Sequence, residues 1–464
     1  KKWGVDVARA RAKMHKVVQL DDSGNETDEA IGFGDLAEAA MALPVPARET
    51  LLFKTPAEFN YMRKGETKIT DLHDITTGKA IYGADVRLPG MKYAVMVRPA
   101  VLGEKLKSFD GAKALEVPGV EAVFEIEGHY EVPRKFWQLG GVAVVANSTY
   151  AALQGRAEVS AEWEPSADHA NYNTDAFFEE MSETSKKPGK VIRDQGDVDA
   201  AFANAKTVFS EEYRCQHLNH AAMEPLVAVA RVADGKAEVW APIQSPYGAR
   251  QDIAEALKIP IENVTVHVTL LGGGFGRKSK WDFMLEAVLI SQKIGAPVLL
   301  QWTREDDMQH AFFHTVSVER IEMAIDDAGK VTGFRHRTVA PSIVSTFAPD
   351  SGYQFNIEYG MGFVNTPFEV PNFRCENGQA FAHTRIGWYR SVSNIPKVFA
   401  VQSAMGEVAH LLGRDQKDFL LELIGSDRIL DPTELGFPED FWHYGDPYAS
   451  YPIDTARLKH VVNL

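Results

Sequence analysis

The stretch Leu271-Gly272-Gly273-Gly274-Phe275-Gly276-Arg277-Lys278-Ser279 decides how the chain is read. Ahead of it, Val264-Thr265-Val266-His267-Val268-Thr269-Leu270 alternates with a period of two, the pattern of a strand. Behind it, Trp281 to Gly295 carries apolar residues at helical spacing. The order is strand, glycine loop, helix. Adjacent glycines lack a Cβ, so their backbone can take positive φ and approach a ligand closely. The helix start adds unpaired N–H groups and a partial positive charge. These features suit an anionic cofactor, and equally a tight strand-to-helix turn with no ligand. Two nucleotide fingerprints fail on spelling, because a Walker A loop and a dinucleotide loop both need glycine where Arg277 stands.

At 464 residues the chain has room for two or three domains. Its formal charge of −15 argues against a nucleic-acid partner held by phosphate contacts. It holds two cysteines, Cys215 and Cys375, and no Cys-x-x-Cys word. It therefore ligates neither an iron–sulfur cluster nor a structural zinc in the usual ways. No apolar run is long enough for a membrane span.

Residues 1–65 read as a lead-in, with a short amphipathic helix over Val5 to His15 and a second within Ile31 to Leu43. Pro44, Pro46 and Pro56 then break regularity. From 66 to 165, strand patterns at Tyr93 to Arg98, Glu121 to Ile126, Gly141 to Ala146 and Val159 to Trp163 mix with a helix at Thr149 to Ala157. Residues 166–195 are polar and punctuated by Pro and Gly, and read as a crossing segment. A helix at Asp197 to Ala205, a strand at Thr207 to Arg214 and a hairpin around Asp234-Gly235 follow. Val298 to Trp302 reads as a buried strand, and Val316 to Ala324 pairs with Val331 to Val339. Ala400 to Leu412 is a long helix closed by Gly413, and Asp431 to Ala456 an ordered aromatic loop. His217 and His220 are spaced as metal ligands on a helix, but no third ligand is near. Beside His310 and His314, Ala311 stands where a zincin needs Glu, so these two read as surface or pocket-rim residues.

With Phe275 inside the glycines and Arg277-Lys278 attached, the loop resembles the Gly-Gly-Gly-Phe-Gly loop of the molybdenum hydroxylases, the xanthine dehydrogenase and aldehyde oxidase superfamily. Within it, the chain looks most like the molybdopterin-binding large subunit of the isoquinoline 1-oxidoreductase type. Gln244-Ser245-Pro246 and Trp388-Tyr389-Arg390 stand in the family's order, and the resemblance runs from about Gly65 to Leu464. It implies an α+β fold: lead-in at 1–65, an a/b hammerhead domain at 66–165, and part of the molybdopterin-binding α/β domain at 166–464. It implies that Gly273, Gly274, Phe275, Gly276 and Arg277 pack against the cofactor, and that Gln244 hydrogen-bonds an oxo ligand of the molybdenum. The Arg390 backbone would lie beside the metal, which the pterin holds without a direct protein ligand. The segment His220-Ala221-Ala222-Met223-Glu224-Pro225 would shape a funnel wall.

The activity the resemblance implies is hydroxylation of an aldehyde or N-heteroaromatic carbon with oxygen taken from water. The cofactor would be molybdenum–molybdopterin cytosine dinucleotide. The electrons would leave to [2Fe-2S] clusters on a small partner subunit and then to a c-type cytochrome, in a periplasmic setting. Purine-oxidising members place Glu directly after the loop lysine, where this chain has Ser279, and a purine-binding Arg is replaced near Tyr359. Ser279, Tyr359, Trp388 and Tyr389 are expected to line the substrate pocket. The family's general base, a Glu in a Gly-Glu-x-Gly word, has no counterpart; Gly406-Glu407 sits within a helix pattern. Both ends fall in patterned sequence, so a central fragment or split subunit is expected, with the rest of the molybdopterin subunit as a partner. Two readings of other kinds are a non-catalytic scaffold subunit on the same fold and a nucleotide-binding protein using the glycine loop.

Overall fold

Two compact units, Lys1–Lys79 and Ala80–Leu464, make up the chain. The computed structural model describes residues 2–464 except 52, 66, 67 and 440, so the expected domain start at 66 lies outside the described residues. The first unit carries an antiparallel sheet of β1 (Ala10–Lys13), β2 (Lys16–Leu20) and β3 (Glu26–Gly32), then α1 (Phe33–Met41) and the short α2 (Leu72–Thr77). The helix expected over Val5 to His15 is not there. Met14 and His15 take left-handed φ values of 46° and 60° and turn β1 back onto β2, so hairpin pairing captures residues that helical spacing had suggested. The second expected helix is α1.

In the larger unit the chain runs β4 (Lys92–Val97), β5 (Lys105–Asp110), α3 (Ala112–Glu116), β6 (Val120–Ile126), β7 (Gly141–Ala146), α4 (Thr149–Ala157) and β8 (Ser160–Glu164). It continues through α5 (Thr174–Ser185), β9 (Lys190–Gln195), α6 (Val198–Ala203), β10 (Thr207–Cys215), β11 (Val227–Ala233), β12 (Lys236–Ala241) and α7 (Pro246–Leu257). Next come β13 (Val264–Val268), α8 (Asp282–Ile294), β14 (Val298–Gln301), α9 (Arg304–His310), β15 (Ser317–Ile325) and β16 (Val331–Val339). The last elements are α10 (Asn356–Tyr359), β17 (Asn372–Gly378), α11 (Asn394–Leu411), α12 (Gln416–Ile424) and α13 (Thr455–Asn463).

These elements form an α+β architecture around two larger sheets. The first has the order β13-β12-β11-β14-β4-β7-β6, and the second β10-β15-β16-β17-β9. The parallel pairing of β14 with β4 puts strands from both sides of residue 165 into one sheet. Helix α8 covers this sheet because Phe283, Met284, Leu285, Val288 and Ile290 are all buried on it. Each such side chain contributes roughly 1.5–3 kcal/mol. Gly295, at φ 65°, closes the helix in the left-handed conformation. On the second sheet, α11 buries Ala400, Val401, Ala404, Met405 and Val408.

Residues 166–195 are more than a crossing segment. Polar residues cover the outer face of α5, while Phe177, Phe178 and Met181 pack inward with Val316, Val318 and Val339. Strand β9 pairs with β17, which the sequence pattern had not marked. Among the described residues no helix is long and apolar enough to cross a membrane.

Candidate functional site

The strand-loop-helix order holds as β13, a loop, and α8, with a 3-10 turn at Arg277–Ser279 between loop and helix. Three distant segments meet at that loop. Gln244 follows β12 and presents its side chain to the glycines: the Gly276 amide donates to its Oε1 at 3.2 Å. The Gln244 amide donates to the Lys278 carbonyl at 2.8 Å, which fixes the register. From the other side, the Arg390 amide donates to the Phe275 carbonyl at 2.9 Å. A Cβ on Gly276, whose φ is 102°, would lie 2.1 Å from the Trp388 carbonyl oxygen, so only glycine allows this approach. Likewise a Cβ on Gly274 would lie 2.7 Å from Gln244 Oε1.

The loop edge has donors to spare. Among the described residues the amides of Gly273, Gly274 and Phe275 find no acceptor, and neither does Nε2 of Gln244. Phe275 takes a left-handed φ of 54° and is 43% exposed. A non-glycine residue in that region carries about 1–2 kcal/mol of strain. Four unpartnered N–H groups at the loop, beside the partly exposed Phe275, suit an acceptor-rich or anionic group.

Behind the loop lies a buried set of charges that the sequence reading missed. Arg277, expected at the cofactor, is 1% exposed and turns inward to give Asp282 two hydrogen bonds of 2.9 Å. Arg385 donates to the same carboxylate at 2.9 Å. Lys278 donates to Glu224 Oε2 at 2.7 Å, and that oxygen also accepts from the Gly272 amide at 3.1 Å. Lys280 donates to the Gly276 carbonyl at 2.7 Å, with its ammonium 3.7 Å from the centre of the Trp388 ring. Burial, helped by Arg277, drives the Lys280 amine far below its ordinary range. Burial also lowers Lys278, against the pull of Glu224. The signal available in the sequence was the cation run itself: Arg277 and Lys278 packed inside the fold require carboxylates. No periodicity reveals which ones.

The other expected residues are placed as follows. Ser279 donates back to the Gly276 carbonyl at 2.7 Å and holds the turn. Trp388 and Tyr389 flank the loop, with Tyr389 edge-on to His220 at 5.1 Å. Tyr359 is not brought to the loop; it sits in the core on the second sheet and its hydroxyl donates to the Gln354 carbonyl at 2.7 Å. His220 Nε2 donates to the Trp388 carbonyl at 2.9 Å, and His217 Nδ1 to the His314 carbonyl at 3.0 Å. Among the described residues no cluster of three metal-binding side chains occurs. The expectation of rim histidines fails for His314, which is 1% exposed and donates to the Val392 carbonyl at 3.2 Å. His310 is partly buried, and desolvation, with Arg98 and Arg385, pushes it down to about 3. Helix α9 ends at His310, so the pair does not share a helix face.

Residues 183–421 match the family of the molybdopterin cofactor-binding domain. A Gluconacetobacter polyoxogenes protein named a membrane-bound aldehyde dehydrogenase (pyrroloquinoline-quinone) is 31% identical over 88% of this chain and 54% of its own length. The isoquinoline 1-oxidoreductase subunit beta of Brevundimonas diminuta is 27% identical over 81% of this chain and 48% of its own. The chain thus spans about half the length of these relatives. In fold it is similar to quinoline 2-oxidoreductase from Pseudomonas putida 86, with a TM-score of 0.61 at 20% identity over 85% of this chain and 53% of that one. It is also similar to the aldehyde oxidoreductase of Desulfovibrio gigas, with a TM-score of 0.63 at 20% identity over 80% and 44%.

Proposed function

Because the chain belongs to the molybdopterin cofactor-binding domain family, we propose that its glycine loop, Gln244 and the 388–390 turn hold a molybdenum–molybdopterin cofactor, in the cytosine dinucleotide form. The observation that carries this reading is the meeting of the three segments at a loop where four N–H groups have no partner. The amides of Gly273, Gly274 and Phe275 would donate to the pterin side of the group. Gln244 Nε2 would donate to an oxygen on the metal, while its Oε1 stays on Gly276. Phe275 and Trp388 would keep water from one face, where a lower dielectric strengthens each hydrogen bond. When bound, the group supplies hydroxylation with water-derived oxygen and takes up two electrons.

The substrate class we propose is an aldehyde or N-heteroaromatic ring. Relatives carrying those words in their names support it, as does Ser279 in place of a substrate-binding carboxylate. The electrons would pass to [2Fe-2S] clusters on a partner subunit, since Cys375 is buried and Cys215 stands alone. A c-type cytochrome would be a further acceptor, and the setting periplasmic. Residues 66–165 are read as the hammerhead domain, after the lead-in at 1–65. None of the carboxylates at the loop is offered as the proton acceptor, because Glu224 and Asp282 are committed to buried cations.

Elemental analysis of the purified native complex, with acid release of the nucleotide, tests the reading. Molybdenum together with cytidine monophosphate is expected. An active complex with neither, or with a released quinone in their place, would overturn it.

A further inference from the structure

A cavity of about 380 Å³ lies away from the glycine edge, between Arg134-Lys135, Asp168-His169, Ser345-Thr346 and Phe381 to Arg385. Its volume is that of a small-ligand pocket. Arg134 is the unusual member. It is half-buried, yet among the described residues it makes no ion pair, and its one hydrogen bond, to the His129 carbonyl, is long at 3.4 Å. Burial also lowers its pKa from the ordinary value. A half-buried guanidinium with one long hydrogen bond has donors to spare, and a carboxylate answers its planar fork with two parallel hydrogen bonds. Arg385 in the same wall is not available, being spent on Asp282 and the His310 carbonyl.

The rest of the lining narrows the occupant. Leu102, Pro349 and Phe381 give an apolar wall. His169 and His383 face each other with their Nδ1 atoms 3.4 Å apart, leaving two imidazole surfaces beside that wall. Asp168 and Asp350 also border the cavity but are exposed, and Asp168 acts on Arg134 more weakly than burial does, without an ion pair. They disfavour a dianion such as phosphate more than a monoanion. One layer of rings separates this cavity from the loop: Phe136 follows Lys135, Phe347 follows Thr346, and Phe136 packs edge-on to Phe347 at 5.1 Å and to Trp388 at 5.7 Å.

We propose that this cavity is a binding site for a small aromatic carboxylate, whose carboxylate pairs with Arg134 and whose ring rests on the apolar wall. The site is separate from the cofactor reading, and its test needs no bound cofactor.

Titration calorimetry on the full chain with benzoate, benzamide and inorganic phosphate reads it directly. Benzoate should saturate one site and bind at least about tenfold tighter than benzamide, the margin expected for a charge-assisted pair. Arg134→Met should erase that margin. Arg134→Lys keeps the charge and guards against a folding defect in the first variant; it should keep part of the margin, because a point charge replaces the fork. Equal binding of benzamide, no saturation by benzoate at millimolar concentration, phosphate binding tighter than benzoate, or an unchanged margin in both variants would overturn the proposal.

Discussion

Replacing Asp282 by Asn should destabilise the 80–464 unit by about 3–5 kcal/mol. Asp282 is fully buried at the start of α8 and accepts three hydrogen bonds of 2.9 Å, two from Arg277 and one from Arg385. Asn offers one acceptor and turns an amide donor toward the guanidiniums. At least one charge-assisted bond is lost, at roughly 1.5–3 kcal/mol, and the two buried guanidiniums lose the carboxylate they share. The measurement is urea unfolding followed by tryptophan fluorescence, with Trp281, Trp302 and Trp388 all close by. The double change Asp282→Leu with Arg277→Met removes the charge with a partner and should recover part of the loss. Burial would raise the Asp282 carboxyl, but Arg277 and Arg385 outweigh it and hold it below the ordinary range. Its contribution is therefore complete above the unfolded carboxyl value of about 4 and fades as pH falls through the lower folded value. Asp282→Asn should flatten that acid limb. A loss under about 1 kcal/mol, with the acid limb unchanged, would mean the cluster is hydrated and does not hold the loop.

Gln244→Ala should cost no more than about 1 kcal/mol of stability while turnover of the loaded complex falls much further; unchanged kinetics with metal retained would make Gln244 a turn residue only. Gly276→Ala should part the loop from the 388–390 turn, because its Cβ has no room beside the Trp388 carbonyl. Molybdenum content per chain reports this, and full occupancy would contradict it. Burial pushes His220 and His310 down to about 3 and His217 to about 4, so each is neutral when folded and charged when unfolded between those values and about 6.5. Stability should fall as pH drops through that window, and His220→Gln should reduce the slope of the urea midpoint against pH.

Much of the fold was legible because its strands carry their own pattern. Gly141–Ala146, buried throughout, and the Asp234-Gly235 hairpin stand where a continuous apolar run and turn chemistry put them. The failures have one cause, which is that partners distant in sequence decide what an ambiguous stretch becomes. Lys13 to Lys16 could wind or turn, and pairing of β1 with β2 chose the turn. Helix α5 carries only a narrow apolar stripe, and Val316, Val318 and Val339, more than a hundred residues on, give it a surface to cover.

The site divides along the same line. The meeting of the glycines, Gln244 and Arg390 was legible in their spelling, because close backbone approach depends on residues that cannot be exchanged freely. Arg277 was misplaced because an arginine beside a glycine loop looks, in sequence, like a hand extended to an anion. In the fold its anion is Asp282, delivered by the next helix and shared with Arg385 from the far end of the unit. Glu224 does the same for Lys278 while its second oxygen accepts from the Ala84 amide at 3.3 Å. The loop is thus clamped from behind by charge and left open in front by glycine. That asymmetry suits the cradle proposed above: donors held in place before anything binds would forfeit little ordering entropy on binding.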